Sequence, residues 1–237
     1  MIEVEGRGLP IVFVHGGAGS QEVWGEQLKY LRSRHRAIAL DLPGHGKSAP
    51  AGEALFATSI HLESALDELK LDRFVLVGHS MGGYSIIEYA RRHPRRVAGL
   101  LLVDPAGDYR NLSEKDQIAS AMRDSKRRGE FWEALLSGAK PATRALVLSD
   151  LKATPVTTFA AISTELFSYD PVTPLMGYAG PKISVFSPCG EEAQALHNLI
   201  PSLPRRRVDG VSHWVMLDEP AKFNSIMDEF LKTMDIR

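Results

Sequence analysis

Short apolar runs alternate along this chain with longer stretches of helical periodicity. The apolar runs, each closely followed by Gly, Pro, Asp or Ser, are candidate strands at residues 10–14, 37–40, 74–77, 100–103, 183–186 and 206–208. The helical patterns between and after them lie at about residues 21–32, 58–69, 82–92, 191–199 and 220–232. Since parallel strands are joined by crossover helices, this alternation predicts an α/β protein with a mostly parallel sheet flanked by helices.

The alternation stops between residues 107 and 178. This segment shows helical patterns and contains no apolar run typical of a buried strand. We expect the helices to be interrupted at Gly129, Gly138, Pro141, Pro155, Pro171 and Pro174. Open α/β sheets bind ligands at the carboxyl ends of their strands. We therefore predict a core domain of residues 1–106 and 179–237, with residues 107–178 inserted as a helical lid after the strand that ends at Val103. A packing role without gating is the alternative.

The strand at residues 74–77 runs into the pattern Gly-x-Ser-x-Gly at residues 78–82, and a helix-forming run follows. This order is typical of a nucleophile elbow, in which a sharp turn exposes the serine hydroxyl at the top of the sheet. Glycines at 78 and 82 would let the neighbouring backbone come close. Ser80 is thus a candidate nucleophile, and the backbone amide of Met81, at the start of the helix, is a candidate oxyanion donor.

The strand at residues 10–14 ends in His15-Gly16-Gly17. A glycine here allows a bare amide to face a substrate, so Gly17 is the expected second oxyanion donor and Ala18 the alternative. We expect His15 to hold its turn by hydrogen bonds and not to act in catalysis.

Residues 41–48 end in Gly-Lys-Ser and superficially resemble a phosphate-binding loop. That motif requires glycine where this chain has Asp41, and Pro50 and Gly52 oppose the helix that should follow. Without a helix the segment has no dipole to hold a pyrophosphate. The sequence therefore does not predict a nucleotide site here.

Taken together, four motifs resemble the α/β-hydrolase superfamily over nearly the whole chain outside the helical segment. In order they are His15-Gly16-Gly17, Asp41-x-Pro43-Gly44-x-Gly46-x-Ser48, Gly78-His79-Ser80-Met81-Gly82-Gly83 and Ser212-His213-Trp214. The resemblance implies the α/β-hydrolase fold with an eight-stranded sheet, of which the leading hairpin is reduced here to a remnant at residues 3–8. It also implies a triad in the order Ser, acid, His, with His213 as the general base.

The acid of that triad is not obvious. The family usually has it in a Gly-x-x-Asp turn after the penultimate strand, but residues 187–192 read Ser-Pro-Cys-Gly-Glu-Glu. Some relatives carry the acid one strand earlier, where this chain has Asp104, so Asp104 is the expected partner of His213. Glu191, Glu192 or no functional acid are the alternatives, and Asp104 could instead cap the first turn of the lid.

The resemblance implies a serine hydrolase. We expect a carboxylesterase that acts on a small aryl or short aliphatic ester through an acyl-enzyme. The alternatives are a carbon–carbon bond hydrolase, a lactonase or perhydrolase, and, in another class, a small-molecule receptor that retains the triad. Trp24, Trp132 and Trp214 are candidates for an apolar substrate pocket. No metal or organic cofactor is expected.

Charge and cysteine content limit which partners and which cellular location we expect for this protein. Twenty-eight Lys and Arg nearly balance 29 Asp and Glu, so no net field favours nucleic acid or an anionic membrane. The single cysteine, Cys189, excludes an intrachain disulfide, and the first residues lack a signal-peptide pattern. We expect a cytoplasmic protein, monomeric or homodimeric, whose partner is a small ester-like molecule.

Overall fold

In the computed structural model, residues 1–48 and 57–234 are described, with side chains from residue 61 onward in the second range. The described residues form one seven-stranded sheet in the order β1-β3-β2-β4-β5-β6-β7. The strands are β1 Ile2–Val4, β2 Ile11–Val14, β3 Ala37–Leu40, β4 Phe74–His79, β5 Val97–Val103, β6 Lys182–Phe186 and β7 Arg205–Arg207. All pairs are parallel except β1 with β3, which confirms the predicted α/β fold.

The edges of the sheet differ from its centre. Every residue of β2, β3, β4 and β5 is buried, as expected for parallel strands covered on both faces. At one edge β7 is made of three exposed arginines, whose charge discourages pairing with another chain. At the other edge β1 pairs antiparallel with β3, so one short strand stands where the resemblance implied a leading hairpin, and the described sheet has seven strands instead of eight.

Helices cover the sheet at most of the predicted places. They are α1 Gly25–Leu31, preceded by a 3-10 turn at Gln21–Trp24, then α2 Ala57–Glu68, α3 Met81–Arg92, α9 Leu196–Leu199, α10 Val215–Asp218 and α11 Pro220–Lys232. The predicted helix at 191–199 is wrong over its first half. Residues 191–195 are not helical and follow a 3-10 turn at Pro188–Gly190, which the Ser187 hydroxyl caps; only the last turn, Leu196–Leu199, is α-helical. Pro50 and Gly52 lie outside the described residues.

Between β5 and β6 lie five helices, which we call the helical insertion: α4 Lys115–Arg123, α5 Ser125–Leu135, α6 Pro141–Ala153, α7 Val156–Ser168 and α8 Val172–Gly177. Breaks occur near Gly138, Pro141, Pro155 and Pro171, as predicted. Gly129 was expected to break a helix but lies inside α5, where a side chain would meet open space. Pro174 lies inside α8, in the first turn, where backbone N–H groups have no intrahelical partner to lose.

Among the described residues, no single helix has the length and apolar character to cross a membrane. Helices α6 and α7 pass that test only as a pair, and they meet at a bend of 103°.

The strand register brings the proposed reactive residues together. His79, the last residue of β4, is paired with Val103, the last residue of β5, so Ser80 and Asp104 leave the sheet side by side. The Ser80 amide donates to the Val103 carbonyl at 2.9 Å, and the Asp104 amide donates to the Val185 carbonyl at 2.7 Å. Both residues therefore lie at the carboxyl edge of the sheet, where ligands are expected.

Candidate active site

Ser80 occupies a strained turn between β4 and α3. Its backbone has φ 50° and ψ −122°, a region that residues with a side chain rarely adopt. A Cβ at Gly78 would lie 2.7 Å from the Gly82 carbonyl oxygen, and one at Gly82 would lie 2.4 Å from the His15 carbonyl oxygen. The two glycines are therefore required for the close approach of α3 to the sheet, and the tight bend turns Ser80 toward a cavity above it.

His213 and Asp104 are joined directly. The Nδ1 atom of His213 lies 2.9 Å from Oδ2 of Asp104, whose side chain is fully buried. Ser187 also binds this carboxylate, its amide donating to Oδ1 at 3.1 Å and its hydroxyl to Oδ2 at 2.5 Å. These donors hold the carboxylate in an orientation that favours a proton on Nδ1 and leaves Nε2 of His213 free to accept one.

The alternatives for the acid are occupied elsewhere. Glu191 is exposed and forms an ion pair with Arg207. Glu192 accepts a hydrogen bond from the Tyr109 hydroxyl. The capping role considered for Asp104 does not occur either, since the first helix of the insertion begins only at Lys115 and the carboxylate faces Ser187 and His213.

The backbone of His213 is held on both sides. Its N–H donates to the carbonyl of Leu135, at the end of α5, at 3.1 Å. Its carbonyl oxygen lies 3.0 Å from Nε2 of His79. Burial, together with the nearby His213, lowers the pKa of His79 well below its ordinary value, so His79 is neutral and its Nε2–H is the donor. The Gly-x-Ser-x-Gly pattern leaves position 79 open to any residue, so the sequence does not indicate this contact.

A second buried carboxylate holds the loop that carries His213. Oδ2 of Asp218 accepts from the Ser212 amide at 2.9 Å and from the Ser212 hydroxyl at 2.5 Å. Its Oδ1 accepts from the amide of Lys140, which precedes α6, at 2.9 Å. The loop is thus tied to the helical insertion at two points, Leu135 and Lys140. No local pattern in the sequence indicates these contacts.

The two candidate oxyanion donors lie beside Ser80. Gly17 and Met81 both line the same cavity as Ser80 and His213. The Ala18 amide, the alternative to Gly17, donates instead to Nε2 of His45 at 3.0 Å and so does not face the cavity. The loop after β2 therefore offers the Gly17 amide.

His15 holds the turn that presents Gly17. Its Nε2 accepts from the Leu42 amide at 2.9 Å, and its Nδ1 lies 2.7 Å from the Gly16 carbonyl oxygen, to which it donates. Burial, helped by the neighbouring His45, lowers the pKa of His15 from 6.5 to about 3. The ring is thus neutral in the folded protein and acts structurally, as the sequence led us to expect.

This depressed pKa predicts a loss of stability in acid. Because His15 ionises at pH 6.5 when unfolded and only at about 3 when folded, its contribution is complete above pH 6.5 and falls as the pH drops through that window. At pH 5 we expect it to cost about 2 kcal/mol of the free energy of unfolding, measured by urea denaturation at pH 5 and pH 7. His15→Asn, which can accept the Leu42 N–H but does not titrate, should lose correspondingly less between the two values. Equal losses in both proteins would contradict the prediction.

The cavity above Ser80 has a volume of about 210 Å³. Its floor is formed by Ser80 and Met81 of the elbow, by Gly17 of the loop after β2, and by His213 of the loop that Asp218 holds. Its walls come largely from apolar side chains of the helical insertion and the segment before it, among them Leu112, Ile118, Met122, Phe131, Trp132 and Ile162. Side chains of the insertion therefore form part of the wall of the space into which Ser80 projects.

Two of the three candidate pocket tryptophans line this cavity, Trp132 and Trp214. The prediction for Trp24 is wrong. This residue does not line the cavity and is fully buried in the core, with its ring centroid 5.0 Å from that of Phe13 and 6.3 Å from that of Phe223. An apolar aromatic satisfies a core and a pocket equally well, so its residue type alone could not distinguish the two.

Comparison with known proteins agrees with this architecture. The family model described as the alpha/beta hydrolase family matches residues 11–226, so the chain belongs to that family. The chain is 32% identical over 151 residues, 59% of its length, to the non-heme chloroperoxidase CPO-A1 of Kitasatospora aureofaciens. The match spans about half of that relative's length, 55%, and other curated relatives are matched over a similar or smaller share.

Solved structures share the fold over almost the entire chain. The bromoperoxidase from Bacillus anthracis has a TM-score of 0.84 at 20% identity and covers 98% of this chain and 94% of its own. The enol-lactonase from Burkholderia xenovorans LB400 has a TM-score of 0.81 at 20% identity, covering 98% and 95%. At these identities the likeness establishes the fold alone, and the activity has to be argued from the site.

Proposed function

We propose that this protein is a serine hydrolase that cleaves small carboxylic esters through an acyl-enzyme on Ser80. The observation that carries the proposal is the convergence on one cavity of Ser80, in its strained turn, and His213, hydrogen-bonded to buried Asp104. A hydroxyl, a base and an acid that orients the base are the parts that nucleophilic acyl transfer requires.

In the first half-reaction the Oγ atom of Ser80 attacks the ester carbonyl carbon while Nε2 of His213 takes the hydroxyl proton. The bond from the carbonyl carbon to the alcohol oxygen then breaks, and His213 returns the proton to that oxygen. In the second half-reaction water attacks the acyl-enzyme, gives its proton to His213, and the carboxylic acid leaves as Ser80 regains a proton. Asp104 stabilises the imidazolium that forms in each half.

Negative charge develops on the carbonyl oxygen in both transition states. The amides of Gly17 and Met81 are the groups we assign to it, and each such donor typically contributes about 3 kcal/mol. The start of α3 adds the positive end of a helix dipole at the same place.

The size and lining of the cavity support a small, apolar acyl group. Its volume of about 210 Å³ lies below the range of about 300–1,000 Å³ typical of sites for drug-sized ligands. Because side chains of the helical insertion form its walls, we assign the insertion the role of a lid that shields the acyl-enzyme.

The test is covalent labelling with a fluorophosphonate, which reacts with activated serines. We expect one equivalent of label on the peptide that contains Ser80, multiple turnovers of p-nitrophenyl acetate or butyrate, and loss of both in Ser80→Ala. Ser113→Ala is the matched control, because it makes the same substitution at an exposed serine. This variant should be labelled at the same rate as the unchanged protein. Labelling of Ser80→Ala at the original rate would refute the proposal.

A receptor that retains the triad is the candidate from another class, and turnover distinguishes it. A receptor should release about one equivalent of p-nitrophenol and then stop, whereas the proposed enzyme continues. Cleavage of a carbon–carbon bond in an acidic ring-cleavage product has less support, since no Lys or Arg is among the described residues that line the cavity.

Perhydrolysis is a second candidate, favoured by the non-heme chloroperoxidase among the similar proteins. It would use the same acyl-enzyme, with hydrogen peroxide replacing water in the second half-reaction to give a peracid. Oxidation of bromide that requires a carboxylic acid, peroxide and Ser80 together would support it.

A further inference from the structure

The cavity has an unneutralised carboxylate at its mouth, and we infer that Glu192, held by Tyr109, binds a positively charged group on the alcohol portion of the ester. This inference rests on the proposed function and specifies its substrate class: esters of a small apolar acid with an alcohol that carries a cationic nitrogen.

The charges around the cavity support a cation. Among its described lining residues there is no Lys or Arg, while Glu192 stands at its exposed rim. Within the described part of the chain, Glu192 has no basic side chain within 4 Å, in contrast to Glu191, whose charge is satisfied by Arg207. Burial raises the pKa of Glu192, the hydrogen bond from Tyr109 and the nearby His213 oppose that shift, and the carboxylate is left without an ion-pair partner among the described residues.

Tyr109 holds this carboxylate in place. It is a half-buried residue that lines the cavity, and its hydroxyl donates to Oε1 of Glu192. Burial and the adjacent carboxylate raise the pKa of the Tyr109 hydroxyl, so it stays protonated and remains a donor. A carboxylate with one oxygen engaged in this way keeps its second oxygen for a ligand.

Glu192 lies on the side of the cavity where the alcohol must sit. His213 delivers the proton to the departing alcohol oxygen, so the alcohol has to lie against His213. Glu192 is close enough to His213 for the two to interact electrostatically, and both face the same space. The walls formed by the helical insertion are apolar and suit the acyl group instead.

The size of the effect follows from the exposure of the rim. A charge pair at a partly solvated position is screened, and each tenfold change in specificity corresponds to 1.4 kcal/mol. We therefore expect a preference of about five- to tenfold in kcat/KM for a cationic over a neutral alcohol of the same shape.

The test compares butyrylcholine with 3,3-dimethylbutyl butyrate, in which an uncharged carbon replaces the quaternary nitrogen. The unchanged protein should favour butyrylcholine by about five- to tenfold, mainly through a lower KM, because the contact exists in the ground state. Glu192→Gln should bring the ratio of the two kcat/KM values close to one, and Tyr109→Phe should reduce it in part. Glu191→Gln, the neighbouring substitution with the same change in charge, should leave the ratio unchanged.

An equal drop in the ratio for Glu191→Gln and Glu192→Gln would mean a general field effect and would overturn the inference. A ratio near one in the unchanged protein would also overturn the inference. The same holds if Ser80 is labelled but the protein hydrolyses neither ester. Failure of the fluorophosphonate to label Ser80 is a different result, since it refutes the proposed function itself.

Discussion

Asp104→Asn should lower kcat for p-nitrophenyl butyrate by about 10⁴-fold at neutral pH. The carboxylate of Asp104 accepts a hydrogen bond from the Nδ1–H of His213, and Ser187 donates to the same carboxylate. An asparagine side chain can turn its NH₂ group toward His213, which favours the tautomer with the proton on Nε2. That tautomer cannot accept the proton of Ser80, so attack on the ester is lost while the geometry of the site is kept.

The matched controls for this variant are Glu191→Gln and Glu192→Gln, which alter the two carboxylates that were the alternatives for the acid. Each should retain kcat for this neutral ester within about tenfold, because the structure places neither carboxylate against Nδ1 of His213. Steady-state rates, with circular dichroism to check folding, measure all three proteins. A loss of less than tenfold in Asp104→Asn would show that the assignment of the acid is wrong.

Gly190→Ala should lower kcat by about 10²-fold without unfolding the protein. A Cβ at this position would lie 2.1 Å from Oδ1 of Asp104 and 3.4 Å from Cβ of Phe186, so the carboxylate has to move away. A displacement of about 1 Å in a group that orients the base is enough for a loss of this size. Rates on p-nitrophenyl butyrate and urea denaturation measure the two effects separately.

Gly129→Ala is the control for the same chemical change. Position 129 lies within α5, and a Cβ there meets open space, so kcat should stay unchanged. The free energy of unfolding should rise by about 0.5–1 kcal/mol, because alanine is the better helix former. If Gly190→Ala retained full activity, the close contact between this loop and Asp104 would not be needed for catalysis.

Much of the fold follows from local patterns. The buried strands β2 to β5 are continuous apolar runs, and such runs have to be covered on both faces whatever their partners are. The elbow is also local, since Gly78 and Gly82 permit a turn that brings Ser80 out of the sheet. The start of α11 at Pro220 was predictable because proline fits the first turn of a helix.

Other predictions failed where local patterns compete with long-range contacts. The helical periodicity at 191–199 was overridden in its first half, where the loop makes contacts such as the hydrogen bond from the Asp108 amide to the Gln194 carbonyl at 2.9 Å. Trp24 was assigned to the pocket on its residue type, and packing against Phe13 and Phe223 decided otherwise.

By itself the sequence determined the α/β class, the position of Ser80 and the order of the motifs, because these depend on residues adjacent in the chain. The tertiary structure decided which carboxylate faces His213, since that contact joins residues 109 positions apart and depends on the register of β5 with its neighbours. It also decided the contacts of His79 and Asp218 and the hydrogen bond from Tyr109 to Glu192. Contacts of this kind arise only when distant segments pack, and no short-range pattern encodes them.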